Sequence, residues 1–250
     1  FYLNADELNK VKVMNNAHQI MDNGTDLLSS AGTDWGNGTL VLPFPNDSTK
    51  FYVFTICIYC NNGAIANNAY YHIVDMSLNN GLGKIISKNN LFIQNVHQKI
   101  AAVKHSDGKK WWVILHEKNT NRFAKIIVDT QVGTPVYQQI GSTLNTPQHE
   151  QGNLVFSISG QKLLLLSFGG YFHTFDFNRC TGSITNFKDL LAGNTFNSPS
   201  DYVRAFSCTF SKNEQFIYYE IDLHSKVIQI DRNHTLFPYT TLFRSRKSVV

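Results

Sequence analysis

The sequence predicts an all-β chain built from repeated four-stranded antiparallel units, and three observations predict it. The first is the stretch Gln98 to Thr130, where apolar runs flank Asp107-Gly108 and a third run follows the polar loop Lys118 to Asn121. Asp-Gly between apolar runs signals a hairpin, because Gly accepts positive φ without steric cost. The second is recurrence. HIVDM, IIVDT, TFDFN and IQIDR align Asp75, Asp129, Asp176 and Asp231, spaced by 54, 47 and 55 residues. The third is the strand that precedes each. FYVFTICIY, WWVIL, LLLLSF and FIYY are apolar at nearly every position, which indicates burial on both faces. A β-sandwich exposes one face and favours alternation. Four-stranded units recurring every 40–50 residues, each covered on both sides by a neighbour, predict a β-propeller.

The elements follow in order. Phe1 to Met21 reads as a partial blade with FYLNAD and KVKVMNN as strands, taken as 1–22 in the blade count. His18 to Leu27 is turn-rich; Asp22 and Asp26 lack the alternating acidic spacing of a calcium loop. A complete blade over 39–93 has strands at Thr39 to Pro43, Phe51 to Tyr59 and Tyr70 to Met76, with a fourth around Lys84 to Ser87. The blade over 98–141 has strands at Lys99 to Lys104, Trp111 to His116, Phe123 to Asp129 and Pro135 to Ile140. The blade over 152–190 has Asn153 to Ile158, Lys162 to Phe168, Tyr171 to Phe177 and Ile184 to Phe187. A partial blade over 204–232 follows. Gly83, Gly133 and Gly182 each lie within eight residues of an aligned aspartate, as a turn into a fourth strand needs. Adjacent Trp111 and Trp112 must point to opposite sides of their strand, and a propeller can bury both.

Thr235 to Ser245, TLFPYTTLFRS, matches the translation of a common short-read sequencing adapter. Residues 233–250 are therefore read as an artefactual tail, and the opening Phe1-Tyr2-Leu3 as a truncated strand. Arg244, Arg246 and Lys247 lie in that tail, so the 22 basic residues fall to 19 against 18 acidic ones, and the net charge falls from +4 to +1. The pI of 8.8 thus makes no case for a nucleic-acid partner. No apolar run of membrane-spanning length occurs. Four cysteines are present. Cys57 and Cys60 resemble a metal or redox pair. However, residues three apart on a strand face opposite ways, and no second ligand pair has zinc spacing. They read as buried or incidental thiols, with a disulfide open if the protein is exported.

The residues also resemble a known group. The series includes His18-x-Ile20-Met21-x-Asn23-Gly24, then Leu42-Pro43-x-Pro45 ahead of Phe51 to Thr55, and Tyr71-x-Ile73-Val74-Asp75-Met76. It continues with Gly81-x-Gly83-Lys84, Ala102 to His105 with Gly108 and Trp112-Val113, then Phe175-Asp176-Phe177 with Thr181-Gly182, and Phe210-Ser211 before Phe216 to Tyr219. In this order they resemble the β-propeller region (WD40- or YVTN-like) of large exported Bacteroidetes proteins that carry a gliding-motility-type (type B) sorting domain for type IX secretion. The resemblance implies about seven blades, an extracellular or outer-membrane-surface location, and no catalytic residues. The sorting domain is absent here, and only three complete and two partial blades are counted.

The candidate chemistry is sparse. The aligned aspartates read as turn-fixing groups, since each repeat carries its own copy and catalysis needs one. His72 and His173 share a repeat position but lie two blades apart on third strands, which favours packing roles. His105 and His116 read as polar caps to strand ends. No nucleophile elbow, HExxH or phosphate loop appears, and Gly81-Leu82-Gly83 lacks a following helix. Asn23-Gly24-Thr25, Asn37-Gly38-Thr39 and Asn46-Asp47-Ser48 match glycosylation sequons, the first two explained as Asn-Gly turns. The expectation is a non-catalytic, secreted or cell-surface propeller scaffold binding an unknown protein or glycan, with no cofactor, no metal and no nucleic-acid partner. Self-association through open blade edges is also expected. The alternative is a lactonase-like or quinoprotein-like propeller enzyme, which would gather carboxylates and His at the axis. First strands rich in apolar and small residues (LVLPF, IAAVK, LVFSIS, AFSCTF) argue against it.

Overall fold

The computed structural model describes residues 1–5, 11–29, 37–58, 67–145, 151–168, 171–190, 205–221, 224–230 and 236–239. A two-stranded sheet pairs β1 (Tyr2–Ala5) with β2 (Val11–Met14). Four antiparallel sheets of four strands follow, each in simple up-and-down order. The first holds β3 (Thr39–Pro43), β4 (Lys50–Cys57), β5 (Asn68–Asp75) and β6 (Lys84–Ile93). The second holds β7 (Val96–Lys104), β8 (Trp111–Glu117), β9 (Arg122–Val128) and β10 (Val136–Gln139). The third holds β11 (Gly152–Phe156), β12 (Lys162–Ser167), β13 (Tyr171–Phe177) and β14 (Ile184–Asp189). The fourth holds β15 (Ala205–Phe210), β16 (Phe216–Ile221), β17 (His224–Ile230) and β18 (Leu236–Tyr239). The last strand lies within residues 233–250, the stretch read from sequence as a tail, and pairs with β17.

This is the predicted propeller architecture, and the second strands show why it forms. Val53 packs into one core with Val11, Val13 and Ile85, while its neighbour Phe54 packs into another with Ile100, Val113 and Ile126. Val113 and Leu115 face that same core, but Trp112 and Ile114 face the next one, with Leu163, Leu165 and Phe175. Leu164 and Leu166 face a fourth, with Phe172, Cys208 and Ile217. Side chains alternate across each strand, so an unbroken apolar run serves two cores at once. First strands stand innermost: β7 lies beside both β3 and β11, and β11 beside β15.

The turn groups sort into several devices. Asp75 accepts hydrogen bonds from the Ser77 N–H at 2.9 Å and its hydroxyl at 2.6 Å. Asp129 accepts from the Thr130 N–H. Asp176 is different. It contacts Lys162 Nζ at 3.5 Å and accepts from Asn186, while Asn178 accepts the Cys180 and Thr181 N–H groups and fixes that turn. Asp231 lies outside the described residues. Gly83 and Gly182 have positive φ. Gly133 does not; its N–H donates to Ile127 O. A Cβ on Gly182 would sit 2.5 Å from the Trp112 ring. Trp112 is buried, whereas Trp111 is half-buried and donates its indole N–H to Pro43 O.

Candidate functional site

A cleft of about 450 Å³ lies against the inner strands β3, β7 and β11. Its wall carries the apolar side chains Leu40, Val103, Val155 and Phe156 on β3, β7 and β11, with Asn37, Lys104, Ser157, Ser159 and Arg179 as its polar groups. Asn37 lies at one end. Its N–H donates to Gly152 O and its carbonyl accepts from the Ile100 N–H, both at 3.2 Å. Its side-chain amide donates to Ile100 O and to Asn153 Oδ1. Asn37 thus ties β7 to β11, and the reading of Asn37-Gly38 as a turn is corrected. Gly38 is needed for close approach, since a Cβ there would meet Gln98 at 2.9 Å.

The other end is cationic. Lys104 lies with its ammonium 4.0 Å from the centre of the Trp111 ring. Arg179 donates Nε–H to Lys104 O at 2.8 Å and Nη1–H to Ser159 O at 3.1 Å. Its Nη2 hydrogens have no partner among the described residues. Beyond Arg179 lies a second hollow of about 730 Å³, polar in character, with Gln161, Lys162, Asp176, Asn178 and Thr185 on its wall.

A carboxylate stands at this same end. Glu214 Oε1 accepts the Ser159 N–H at 2.7 Å, and Oε2 accepts the Ser159 hydroxyl at 3.1 Å. Ser159 Oγ has one hydrogen and gives it to Glu214, so the Ser157 hydroxyl at 3.2 Å must donate to Ser159. Ser157 and Ser159 both line the cleft. Glu214 holds φ at +56°. The equivalent turn positions in the two preceding sheets are Gly108 and Gly160, at φ +70° and +72°. All three N–H groups close the same turn, onto His105 O, Ser157 O and Ser211 O. Where glycine is the unstrained choice, this blade places a glutamate and directs its carboxylate onto the neighbouring blade.

Several sequence readings are corrected. His116 is not a strand-end cap but is buried, 5.5 Å ring to ring from His97 and edge-on to Phe123. The first strand β7 is not uniformly apolar: His97, Gln98 and Lys99 are buried on it. His72 is buried and fully engaged. Nδ1 accepts the Asn89 N–H, so Nε2–H donates to Thr55 Oγ1 at 2.9 Å, and Thr55 donates onward to Leu28 O. His173 sits in another sheet among Tyr171, Phe175 and Phe187. Cys57 is disulfide-bonded rather than an incidental thiol. Cys180 and Cys208 are free thiols, and Cys60 lies outside the described residues. Among the described residues, no three His, Cys, Asp or Glu side chains come together to hold a metal ion, and no helix is long and apolar enough to cross a membrane.

No family model matches the chain, and no curated protein matches it. Solved structures do. The chain is similar to the periplasmic gluconolactonase of Pseudomonas aeruginosa, with a TM-score of 0.51 and 14% identity over 96% of this chain. The chain spans 65% of that protein's length. It is also similar to a putative 6-phosphogluconolactonase of Bacteroides fragilis, at 12% identity and a TM-score of 0.43, covering 80% of this chain and 66% of that one. The expectation of a non-catalytic scaffold for protein or glycan binding is corrected by the first likeness, which aligns almost the whole chain with an enzyme. At this identity the likeness establishes the propeller fold.

Proposed function

We propose that this chain forms the larger part of a lactonase-like β-propeller that opens a cyclic ester at the Arg179 end of the axial cleft. The observation that carries this reading is Glu214, a carboxylate held at a left-handed backbone position and clamped by two hydrogen bonds beside the cleft. A glutamate at a left-handed position where the two preceding sheets place glycine is a pointer to function. The periplasmic gluconolactonase similarity supports the reaction class, and the cleft volume suits a small molecule.

In this reading Glu214 accepts a proton from water, and the water oxygen bonds to the lactone carbonyl carbon. The Arg179 Nη2 hydrogens stabilise the oxyanion as it forms. The ring C–O bond then breaks, and the proton passes from Glu214 to the departing alkoxide. The product is a hydroxy acid whose new carboxyl group releases its proton to solvent and faces Arg179 as a carboxylate. Ser159 is a positioning residue that keeps the base in place.

Hydrolysis by purified protein is followed by acid release with a panel of γ- and δ-lactones. Glu214→Gln is expected to lower kcat by about 100-fold or more. Glu214→Gly should lose the same activity while gaining stability on the order of 1 kcal/mol, through relief of the left-handed strain. A panel in which no lactone is hydrolysed, or a Glu214→Gln protein with full activity, overturns the reading. Export to the cell surface is a further proposal from family resemblance, tested by fractionating cells that express the native gene.

A further inference from the structure

The two hollows that meet at Arg179 differ in kind, and the difference bears on which lactone fits. The axial cleft runs along β7 from Ile100 to Lys104, roughly 13 Å at the rise of an extended strand, and its wall there is aliphatic and aromatic. Ile158 stands at its rim with 74% of its surface exposed. Its lining residues include no carboxylate, and Glu214 borders it only through its hydrogen bonds to Ser159. The hollow on the other side of Arg179 is lined by amide, hydroxyl and charged groups. A polyhydroxylated sugar lactone placed along the cleft would set several of its hydroxyls against the half-buried Val103, Val155 and Phe156, away from the polar groups at the two ends, and each unpaired hydroxyl is unfavourable.

We infer that the preferred substrate is an amphipathic lactone, with an alkyl or aryl substituent that lies in the axial cleft and a ring ester that sits at Arg179. This rests on the lactonase reading above. The cations Lys104 and Arg179 then meet the carboxylate that ring opening creates, at the end where the apolar wall gives way to polar groups. The exposed Ile158 is an apolar lip awaiting the substituent.

The test compares δ-decalactone with glucono-δ-lactone as substrates, and separately the binding of their two open hydroxy acids by calorimetry. The expected result is a kcat/KM at least about tenfold higher for δ-decalactone, since each buried methylene adds to binding. Ile158→Ser should narrow that ratio by about threefold without loss of folding, because the side chain is mostly exposed. Hydrolysis of both with glucono-δ-lactone preferred overturns the amphipathic assignment and leaves the lactonase reading in place. Hydrolysis of neither, with tight binding of the alkyl hydroxy acid alone, removes the lactonase reading and retains the ligand class. Binding of gluconate in preference to the alkyl acid, with or without catalysis, overturns the inference.

Discussion

At the scale of the residue, His72 shows how burial sets chemistry. Its ring is enclosed in the first four-stranded sheet, and burial, aided by Lys88, depresses its pKa to about 4 from 6.5. The neutral form is required because Nδ1 must accept the Asn89 N–H. In the unfolded chain the ring protonates near its ordinary value, so between about pH 6.5 and 4 the unfolded state binds more protons. Stability is therefore full above about pH 6.5 and falls below it, by at most about 1.4 kcal/mol per pH unit from this group. Denaturant midpoints measured at pH 7.5 and 5 should show a drop that a His72→Gln variant reduces. An unchanged drop in that variant would assign the effect elsewhere. The sequence placed His72 and His173 on third strands and gave both packing roles. It did not reveal the burial of His116 or Lys99, because a polar residue at a strand end looks the same whether loops cover it or leave it in solvent.

At the scale of the element, each blade is legible wherever one turn and one apolar run identify it. Asp107-Gly108 and the WWVIL run define β7 to β9 unaided, since the hairpin signal and two-faced burial are both local properties. The bounds shift by few residues: β10 is Val136–Gln139 where Pro135 to Ile140 is predicted. What local pattern leaves hidden is the contact between blades. Ser159 and Glu214 lie 55 residues apart, and neither belongs to a motif. A signal did exist, in that Glu214 occupies the place of Gly108 and Gly160 when the turns are aligned. Gly182 shows the same kind of contact in apolar form, for the turn after β13 approaches the Trp112 ring of the preceding blade too closely for any side chain. A Gly182→Ala protein, strained by its positive φ and by the ring, should lose about 1–3 kcal/mol in a denaturant titration. A midpoint within error of the wild type would mean that Trp112 can turn aside.

For the whole molecule, the stacked cores predict a gradient of stability from the second strands outward. Strands β8 and β12 are buried along almost their full length, whereas β10 and much of β6 are exposed or half-exposed. Amide hydrogens in β8 and β12 should exchange slowest and those in β10 fastest. A uniform rate across one sheet would indicate that each blade opens as a unit instead. The axis carries a different consequence. Because Asn37 hydrogen-bonds to both β7 and β11, it acts as a rivet between neighbouring blades, and its removal would unfasten the two inner strands together.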